Sequence, residues 1–349
     1  MTVPGIDRPR LVQWMGRNVP DAGELLSVSL ISGGRSNLTY LIEARERLVV
    51  LRRPPLGHVL PTAHDMRREW RVISALAPTP VPVPEPVAFC ADEDVIGAPF
   101  YLMGHVDGTA VRTREELGDP EPSPERTRRL SERLAEVLAA IHAVDYREVG
   151  LGDFGRPDGY LARQLDRWCQ QWERSKTADL PEYDRLVDRL RKRLPAEPAA
   201  GAAGSGTLVH GDYRLDNTLI RLGDLEIMAV VDWEMSTLGD PLADLGLTLT
   251  YWHDRGDEER ARIPVAGDVT VAPGFMNGAE FAGHYAKASG RDISDLGFYV
   301  AFGNFKLAVI VEGIHARFRQ GKTVGEGFDG IGSAVPTLIS RAHRMLDQA

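Results

Sequence analysis

The residues best suited to chemistry lie in one short segment, LVHGDYRLDNTLI, at positions 208–220. Between two short apolar runs it carries His210, Asp212, Asp216 and Asn217, and Asp232 follows in the segment VVDWE. Carboxylate and amide oxygens are ligands that suit Mg²⁺. A separate aspartate on the same turn can orient an attacking hydroxyl group or accept its proton. The pattern therefore predicts a loop that binds a metal ion and activates a hydroxyl.

The first hundred residues must form the smaller part of the scaffold, with strands and one helix. VSLISGG and NLTYLIEA alternate apolar and polar residues around Gly-Gly, which indicates a hairpin. RLVVLRR is a third strand, and AFCADEDVIGAPFYLMGHV contains two more around a polar turn. In HDMRREWRVISALA the apolar residues recur at helical spacing. We therefore expect an N-terminal lobe over residues 1–103 built on an antiparallel sheet.

The remainder, residues 104–349, is predicted to be mostly helical. SPERTRRLSERLAEVLAAIHAVD has one apolar face, with Ser123 as a plausible N-cap and Pro124 at the first helical position. Further helices are expected near the following positions: 159–175, 182–194, 240–253, 279–289, 294–320 and 335–347. Residues 195–206 read as a small-residue linker.

Several motifs, in order, resemble the aminoglycoside phosphotransferase (APH) family, relatives of the protein kinases. HGDYRLDN and VDWEMSTLGDPLADLG resemble its catalytic and metal-binding signatures. SGGRSNLTYLIEA, LVVLRRPP, REWRVISAL and PFYLMGHVDG are similar to its nucleotide loop, third strand, lobe helix and hinge. VLRRPP and PTPVPVPEP most resemble the branch fused to, or encoded beside, acyl-CoA dehydrogenases. The resemblance implies an α+β, bilobal, protein-kinase-like fold.

The resemblance also implies the chemistry: transfer of the γ-phosphoryl group of ATP or GTP, with Mg²⁺, to a hydroxyl of a small molecule. Asp212 would be the catalytic base, Asn217 and Asp232 would bind Mg²⁺, and His210 would support the loop by hydrogen bonding.

The nucleotide contacts are implied in the same way. Four residues would lie over the phosphates: Gly33, Gly34, Ser36 and Asn37. The backbone around Met103–His105 would pair with the base, and Glu69 would form an ion pair with Arg52.

Arg52 departs from the family pattern, which has lysine at this position in contact with the phosphates. Arginine keeps the charge but is bulkier and is not a neutral replacement. We expect an active enzyme, because the other catalytic positions are present. The alternative is a nucleotide-binding pseudokinase that acts as a partner module.

Two acceptor classes remain open at this stage. An aminoglycoside-like or other polyhydroxylated acceptor predicts an acidic cleft that pairs with ammonium groups. A hydroxyacyl thioester or hydroxy acid, suggested by the branch, predicts basic residues at the mouth of the pocket.

Composition excludes other classes of protein. The formal net charge of −9 disfavours nucleic acid as a partner. Cys90 and Cys169 are far apart with no CxxC pair, which argues against a structural zinc site. A metallohydrolase is a poor alternative because there is no HExxH or HxH pair. We expect no secretory signal, no membrane span and a cytoplasmic location, and the oligomeric state is open.

Some polar residues have ordinary structural interpretations. Asp216 is expected to shape the turn, and Asp240 and Asp244 to cap a helix or support the metal loop. Glu234 is equally well a partner of the metal site or a surface charge. His142 is expected to be a buried, hydrogen-bonded histidine.

Overall fold

The computed structural model describes residues 3–31, 37–56, 65–118, 121–196, 206–264, 267–321 and 330–348. The chain forms two compact units. The first is Met1–Gly108 together with Met228–Ser236, and the second is Thr109–Ile227 with Thr237–Ala349. The predicted division at residue 103 therefore lies a few residues before the observed one. The segment around Asp232, expected in the helical lobe, belongs to the first unit.

The first unit is built on one antiparallel sheet. Its elements are α1 (Arg8–Asn18), β1 (Leu25–Leu30), β2 (Leu38–Ala44), β3 (Leu48–Arg53), α2 (Met66–Leu76), β4 (Pro86–Cys90) and β5 (Phe100–Gly104). The strand order is β1-β2-β3-β5-β4, with every neighbouring pair antiparallel. The five predicted strands and the helix over α2 are confirmed.

Helix α1 corrects the expectation of a single helix in the first hundred residues. The Asp7 side chain caps it by accepting from the backbone N–H of Arg10. Its Leu11 and Met15 side chains are buried in the apolar cluster that also contains Tyr40 and Phe100. The helix is stabilised by this packing, because only two of its eleven residues are fully buried and its own apolar pattern is short.

The second unit is mainly helical. Its elements are α3 (Pro124–Ala143), α4 (Tyr160–Ser175), α5 (Pro181–Lys192), β6 (Thr207–Val209), β7 (Thr218–Arg221), the start of β8 (Glu226–Val230), which continues in the first unit, β9 (Thr237–Gly239), α6 (Pro241–Tyr251), α7 (Glu258–Ala261), α8 (Gly278–Ser289), α9 (Leu296–Arg319) and α10 (Ala334–Gln348). Helix α9 packs against α4, α6 and α10. β6 pairs with β9, and β7 pairs with β8. The chain passes from the second unit to the first within β8. The predicted helices are confirmed within a few residues of their ends.

Among the described residues, α9 is the one helix whose length and apolar composition would allow it to cross a membrane. In its most apolar window 72% of the residues are buried inside the protein. Because its side chains are used for packing against neighbouring helices, we interpret α9 as a core helix.

Candidate active site

The predicted catalytic loop is a tight turn between β6 and β7 in the second unit. Asp212 keeps 30% of its side chain exposed. Asn217, at the end of a short 3₁₀ turn, is 8% exposed, and its Nδ2 donates to the Asp212 carbonyl at 2.8 Å and to Oδ2 at 3.1 Å. The structure therefore brings these two predicted site residues together, with the Asn217 amide nitrogen bound to Asp212.

The turn is held from beneath by Asp244 on α6. Its Oδ2 accepts from the backbone N–H of His210 at 2.6 Å, and its Oδ1 accepts from that of Gly211 at 2.7 Å. The expectation that Asp244 supports the loop is thus confirmed. Asp240 instead caps α6 by accepting from the Leu242 N–H, which the sequence also allowed.

His210 and His142 have the structural roles that were expected. The Asp212 backbone N–H donates to His210 Nδ1 at 3.2 Å. His142 lies in α3, with Nε2 3.3 Å from Asp244 Oδ2 and Nδ1 2.7 Å from the Tyr285 hydroxyl. Burial lowers the pKa of His142, which favours the neutral ring.

Asp244 remains ionised in these surroundings. Burial opposes its charge, but the hydrogen bond to His142 and the Gly211 N–H outweigh burial and hold its pKa below the ordinary value. A charged carboxylate that accepts two backbone amides fixes the path of the turn.

Three more residues lie near Asp212, and the roles of Arg214 and Lys306 were not identified from the sequence. Arg214 Nε lies 3.9 Å from Asp212 Oδ2, and its guanidinium stacks on Tyr251 and pairs with Asp216. Tyr251 hydrogen-bonds Asp212. Lys306 on α9 donates from Nζ to the Gly211 carbonyl at 2.7 Å. A lone lysine within the apolar segment 296–311 was the available signal for Lys306.

The first unit holds a second cluster of predicted site residues, centred on Arg52. Its Nε lies 2.9 Å from Glu69 Oε2, and its Nη2 lies 2.6 Å from Asp232 Oδ1. The predicted Arg52–Glu69 ion pair is confirmed, with side chains 12% and 1% exposed. Glu69 also accepts from the Tyr101 hydroxyl at 3.0 Å.

The charges in this cluster are strongly coupled. Burial opposes the charge of Arg52, but Glu69, Asp232 and Glu234 outweigh burial and raise its pKa. Burial raises the pKa of Glu69, partly offset by Arg52. Asp232 has a left-handed backbone at φ 66°, uncommon for a residue with a side chain.

The expected phosphate contacts are only partly described. Gly33, Gly34 and Ser36 lie outside the described residues. The Asn37 side chain is buried, and its Nδ2 donates to Glu69 Oε1 at 2.7 Å and to Glu234 Oε2 at 3.1 Å. Asn37 thus connects two carboxylates of the ion-pair cluster, its contact with phosphates stays a prediction, and Glu234 is its partner, not an isolated surface charge.

The predicted hinge, Met103–His105, follows directly on the sheet. Met103 pairs with Val50 on β3 and Pro86 on β4, and is buried. The His105 N–H donates to the Leu48 carbonyl at 3.3 Å, and the Gly104 N–H donates to Glu85 at 2.8 Å. Both amides are thus used within the unit, and a base contact at this segment stays a prediction.

Comparison with known proteins identifies the family. Residues 27–281 match the sequence profile of APH, described as the phosphotransferase enzyme family. The chain belongs to this phosphotransferase family. The prediction made from the motifs is confirmed, and the match spans both the Arg52 cluster and the catalytic turn.

Curated relatives of this phosphotransferase carry the name of the predicted branch. The chain is 36% identical over 290 residues to mouse "Acyl-CoA dehydrogenase family member 10", covering 83% of this chain and 26% of the relative. It is 33% identical over 352 residues to Arabidopsis thaliana "Probable acyl-CoA dehydrogenase IBR3", covering 96% and 42%. The chain thus spans less than half the length of these relatives.

Solved structures of phosphotransferases share the fold. A "putative aminoglycoside phosphotransferase" from Ralstonia eutropha JMP134 superposes with a TM-score of 0.82 at 34% identity, covering 98% of this chain and 99% of that one. The aminoglycoside phosphotransferase APH(2")-IIIa, solved with GDP and kanamycin, superposes with a TM-score of 0.62 at 17% identity, covering 97% and 99%. The kinase-like α+β fold is therefore confirmed.

Proposed function

We propose that this phosphotransferase moves the γ-phosphoryl group of ATP or GTP to a hydroxyl of a small-molecule acceptor. The observation that carries the proposal is the half-exposed Asp212 carboxylate, oriented by Asn217 on a turn that Asp244 fixes. The nucleotide bound in APH(2")-IIIa supports a purine nucleotide as donor.

Asp212 would act on the acceptor. Its carboxylate accepts a hydrogen bond from the hydroxyl and takes the proton as that oxygen forms its bond to the γ-phosphorus. The bond from phosphorus to the bridging oxygen breaks, and the nucleoside diphosphate leaves. Holding the acceptor and Asp212 in fixed geometry supplies much of the rate enhancement in this chemistry.

Asn217 and Asp232 fit the role of Mg²⁺ ligands by their chemistry. The Asn217 amide nitrogen donates to Asp212, so its side-chain oxygen is the atom that would bind a metal, and Arg52 engages Asp232 Oδ1. Among the described residues, no group of three or more histidine, cysteine or acidic side chains is arranged to hold a metal ion by itself. Mg²⁺ is commonly bound through one or two protein oxygens plus phosphates and water. Bound there, it would neutralise charge on the phosphates.

Arg52 would bind phosphate only after rearrangement. In the present arrangement its guanidinium bridges Glu69 and Asp232. A nucleotide phosphate that bound Arg52 would replace Asp232 as its partner, and a metal ion that bound Asp232 would replace Arg52. The pseudokinase alternative differs in predicting nucleotide binding without transfer.

The cleft beside the catalytic turn favours an acceptor with an apolar part and an anionic or acyl group. Its walls include the apolar side chains of Leu134, Trp252 and Phe281. Among the described residues that line it, the cations are Arg112 and Arg214, and the one carboxylate, Asp216, pairs with Arg214. A polycationic aminoglycoside would find little to pair with there, whereas a hydroxy acid or hydroxyacyl thioester would be held at Arg112. The names of the curated relatives agree with this acceptor class.

An acceptor screen tests the proposal. Purified protein is incubated with Mg²⁺ and ATP or GTP, with hydroxy fatty acids, hydroxyacyl-CoA esters or kanamycin, and the products are identified by mass spectrometry. We expect a phosphate monoester on a hydroxyacyl compound, formed at least about 10²-fold more slowly by Asp212→Asn. Arg112→Gln should raise the acceptor KM without changing nucleotide affinity. Nucleotide binding with no product from any acceptor would support the pseudokinase alternative, and phosphorylated kanamycin would overturn the acceptor class.

A further inference from the structure

Lys306 reaches the backbone of the catalytic turn from the core helix α9. Its Nζ donates to the Gly211 carbonyl at 2.7 Å, and its ammonium lies over the Trp168 ring, 5.5 Å from the centroid. The side chain is half-buried, next to Phe302 and Gly303 in a small cavity. A methionine would fill this space but would leave the Gly211 carbonyl without that donor.

The bonded carbonyl belongs to the peptide group that joins Gly211 to Asp212. The N–H of the same peptide group donates to His210 Nδ1 at 3.2 Å. Gly211 has φ 83°, a left-handed conformation that glycine adopts without strain. Lys306 and His210 therefore hold opposite edges of the peptide plane next to Asp212, while Asp244 holds the amides that precede it.

Two carboxylates beside Lys306 favour its charged ammonium form. The carboxylates of Asp212 and Asp244 face it from the turn and from α6, and the Arg167 guanidinium and the Tyr160 side chain face it from α4. Burial lowers the pKa of Lys306, with the two carboxylates opposing this effect. Lysine thus supplies both a donor and a positive charge beside two acids.

We propose that Lys306 is a positioning residue for phosphoryl transfer, which fixes the Gly211–Asp212 peptide so that the Asp212 carboxylate points at the acceptor. The proposal rests on the proposed function for its catalytic consequence, while its effect on the turn stands independently. Lys306 acts through Asp212 and does not itself contact the reacting groups.

The experiment compares Lys306→Met with Lys306→Arg and with the control Lys287→Met, on an exposed position of α8. In Lys306→Met we expect kcat to fall on the order of 10²-fold, the cost of a misplaced catalytic group. The nucleotide KM should stay within about twofold, because Arg52 and Asp232 are untouched. Lys306→Arg should restore much of kcat, since guanidinium keeps the donor and the charge.

Two further readouts separate positioning from simple packing. Hydrogen exchange at the amides of residues 210–213 should accelerate in Lys306→Met and not in Lys287→Met. In wild type, kcat should fall at alkaline pH as Lys306 loses its proton, at a lower pH than an ordinary lysine, because its pKa is lowered by burial. In Lys306→Arg this alkaline loss should move to higher pH, because guanidinium stays charged.

Each contrary result has a distinct meaning. Unchanged kcat and unchanged exchange in Lys306→Met would overturn the proposal. A rise in acceptor KM with kcat retained would overturn the proposal, because Lys306 would then contact the acceptor. A parallel loss of stability, nucleotide affinity and kcat would also overturn it, because Lys306 would then serve only in packing. If wild type transfers no phosphoryl group, the proposed function fails, and unaltered exchange at 210–213 in Lys306→Met would still overturn the positioning role.

Discussion

At the scale of single residues, the account depends most on Asp212. Asp212→Asn keeps the size of the side chain and a hydrogen-bonding oxygen but removes the base. We expect kcat to fall by about 10²- to 10⁴-fold, the usual contribution of a positioned acid or base. Nucleotide affinity, measured by calorimetry, should be unchanged, and the exposed Asp224→Asn serves as the matched control. Full activity of Asp212→Asn would mean that the catalytic loop is misassigned.

Arg52 carries the second prediction at this scale. Arg52→Met leaves Glu69, 1% exposed, without its cation. Breaking a buried ion pair from one side costs about 3–5 kcal/mol, because the remaining charge is uncompensated. The free energy of unfolding, measured by urea titration, should fall by that amount. The double variant Arg52→Met, Glu69→Gln should lose less stability than Arg52→Met alone, because no unpaired carboxylate remains buried. A neutral single substitution would show that Glu69 does not need Arg52 for stability.

At the scale of elements, α6 and α9 pack closely enough to place Asp244 and Lys306 under the turn. A Cβ at Gly303 would lie 2.5 Å from Thr250 Oγ1, and one at Gly246 would overlap the Tyr299 carbonyl. Gly246→Ala should therefore destabilise the fold by about 1–3 kcal/mol. Gly283→Ala on α8 meets open space and should stabilise by up to about 1 kcal/mol. Thermal unfolding of both variants checks the contrast, and equal effects would contradict it.

Asp244 gives α6 a pH-dependent role. Its pKa in the folded protein is held below the ordinary value of about 4. Its contribution to the free energy of unfolding is therefore fully present above about pH 4. As pH falls through the lowered pKa, the carboxylate takes up a proton and the effect is lost. The difference in unfolding free energy between wild type and Asp244→Asn should be constant near neutral pH and shrink in acid. A difference that grows in acid would reverse the assigned sign.

The elements were predictable from sequence because their apolar periodicities and caps are local. Helix α1 escaped prediction because its stability comes from packing against β-strand residues such as Tyr40 and Phe100. The side-chain contacts of the site were less accessible. Asn37 meets Glu234 across 197 positions, and Lys306 meets Gly211 across 95. Tertiary structure decides such pairs. The types of the catalytic residues, the support by Asp244 and the Arg52–Glu69 pair could be predicted from the sequence, but the contacts of Asn37 and Lys306 could not.

At the scale of the whole molecule, the sequence corresponds to 26–42% of the length of the curated relatives cited above. Both units have buried cores within these 349 residues, so we expect the chain to fold and bind nucleotide without any dehydrogenase portion. Ligand at about a hundredfold over Kd adds roughly 2.7 kcal/mol of stability. A measurable rise in the melting temperature with nucleotide would confirm this, and no rise would contradict it.

The most direct test is a calorimetric titration of ATP and GTP, each with and without Mg²⁺, into wild type and Asp232→Asn. The account predicts saturable binding of at least one nucleotide, strengthened by Mg²⁺ in wild type and losing that dependence in Asp232→Asn. Binding that ignores both Mg²⁺ and Asp232 would contradict the assigned metal ligand. Failure of both nucleotides to bind would contradict the phosphotransfer chemistry itself.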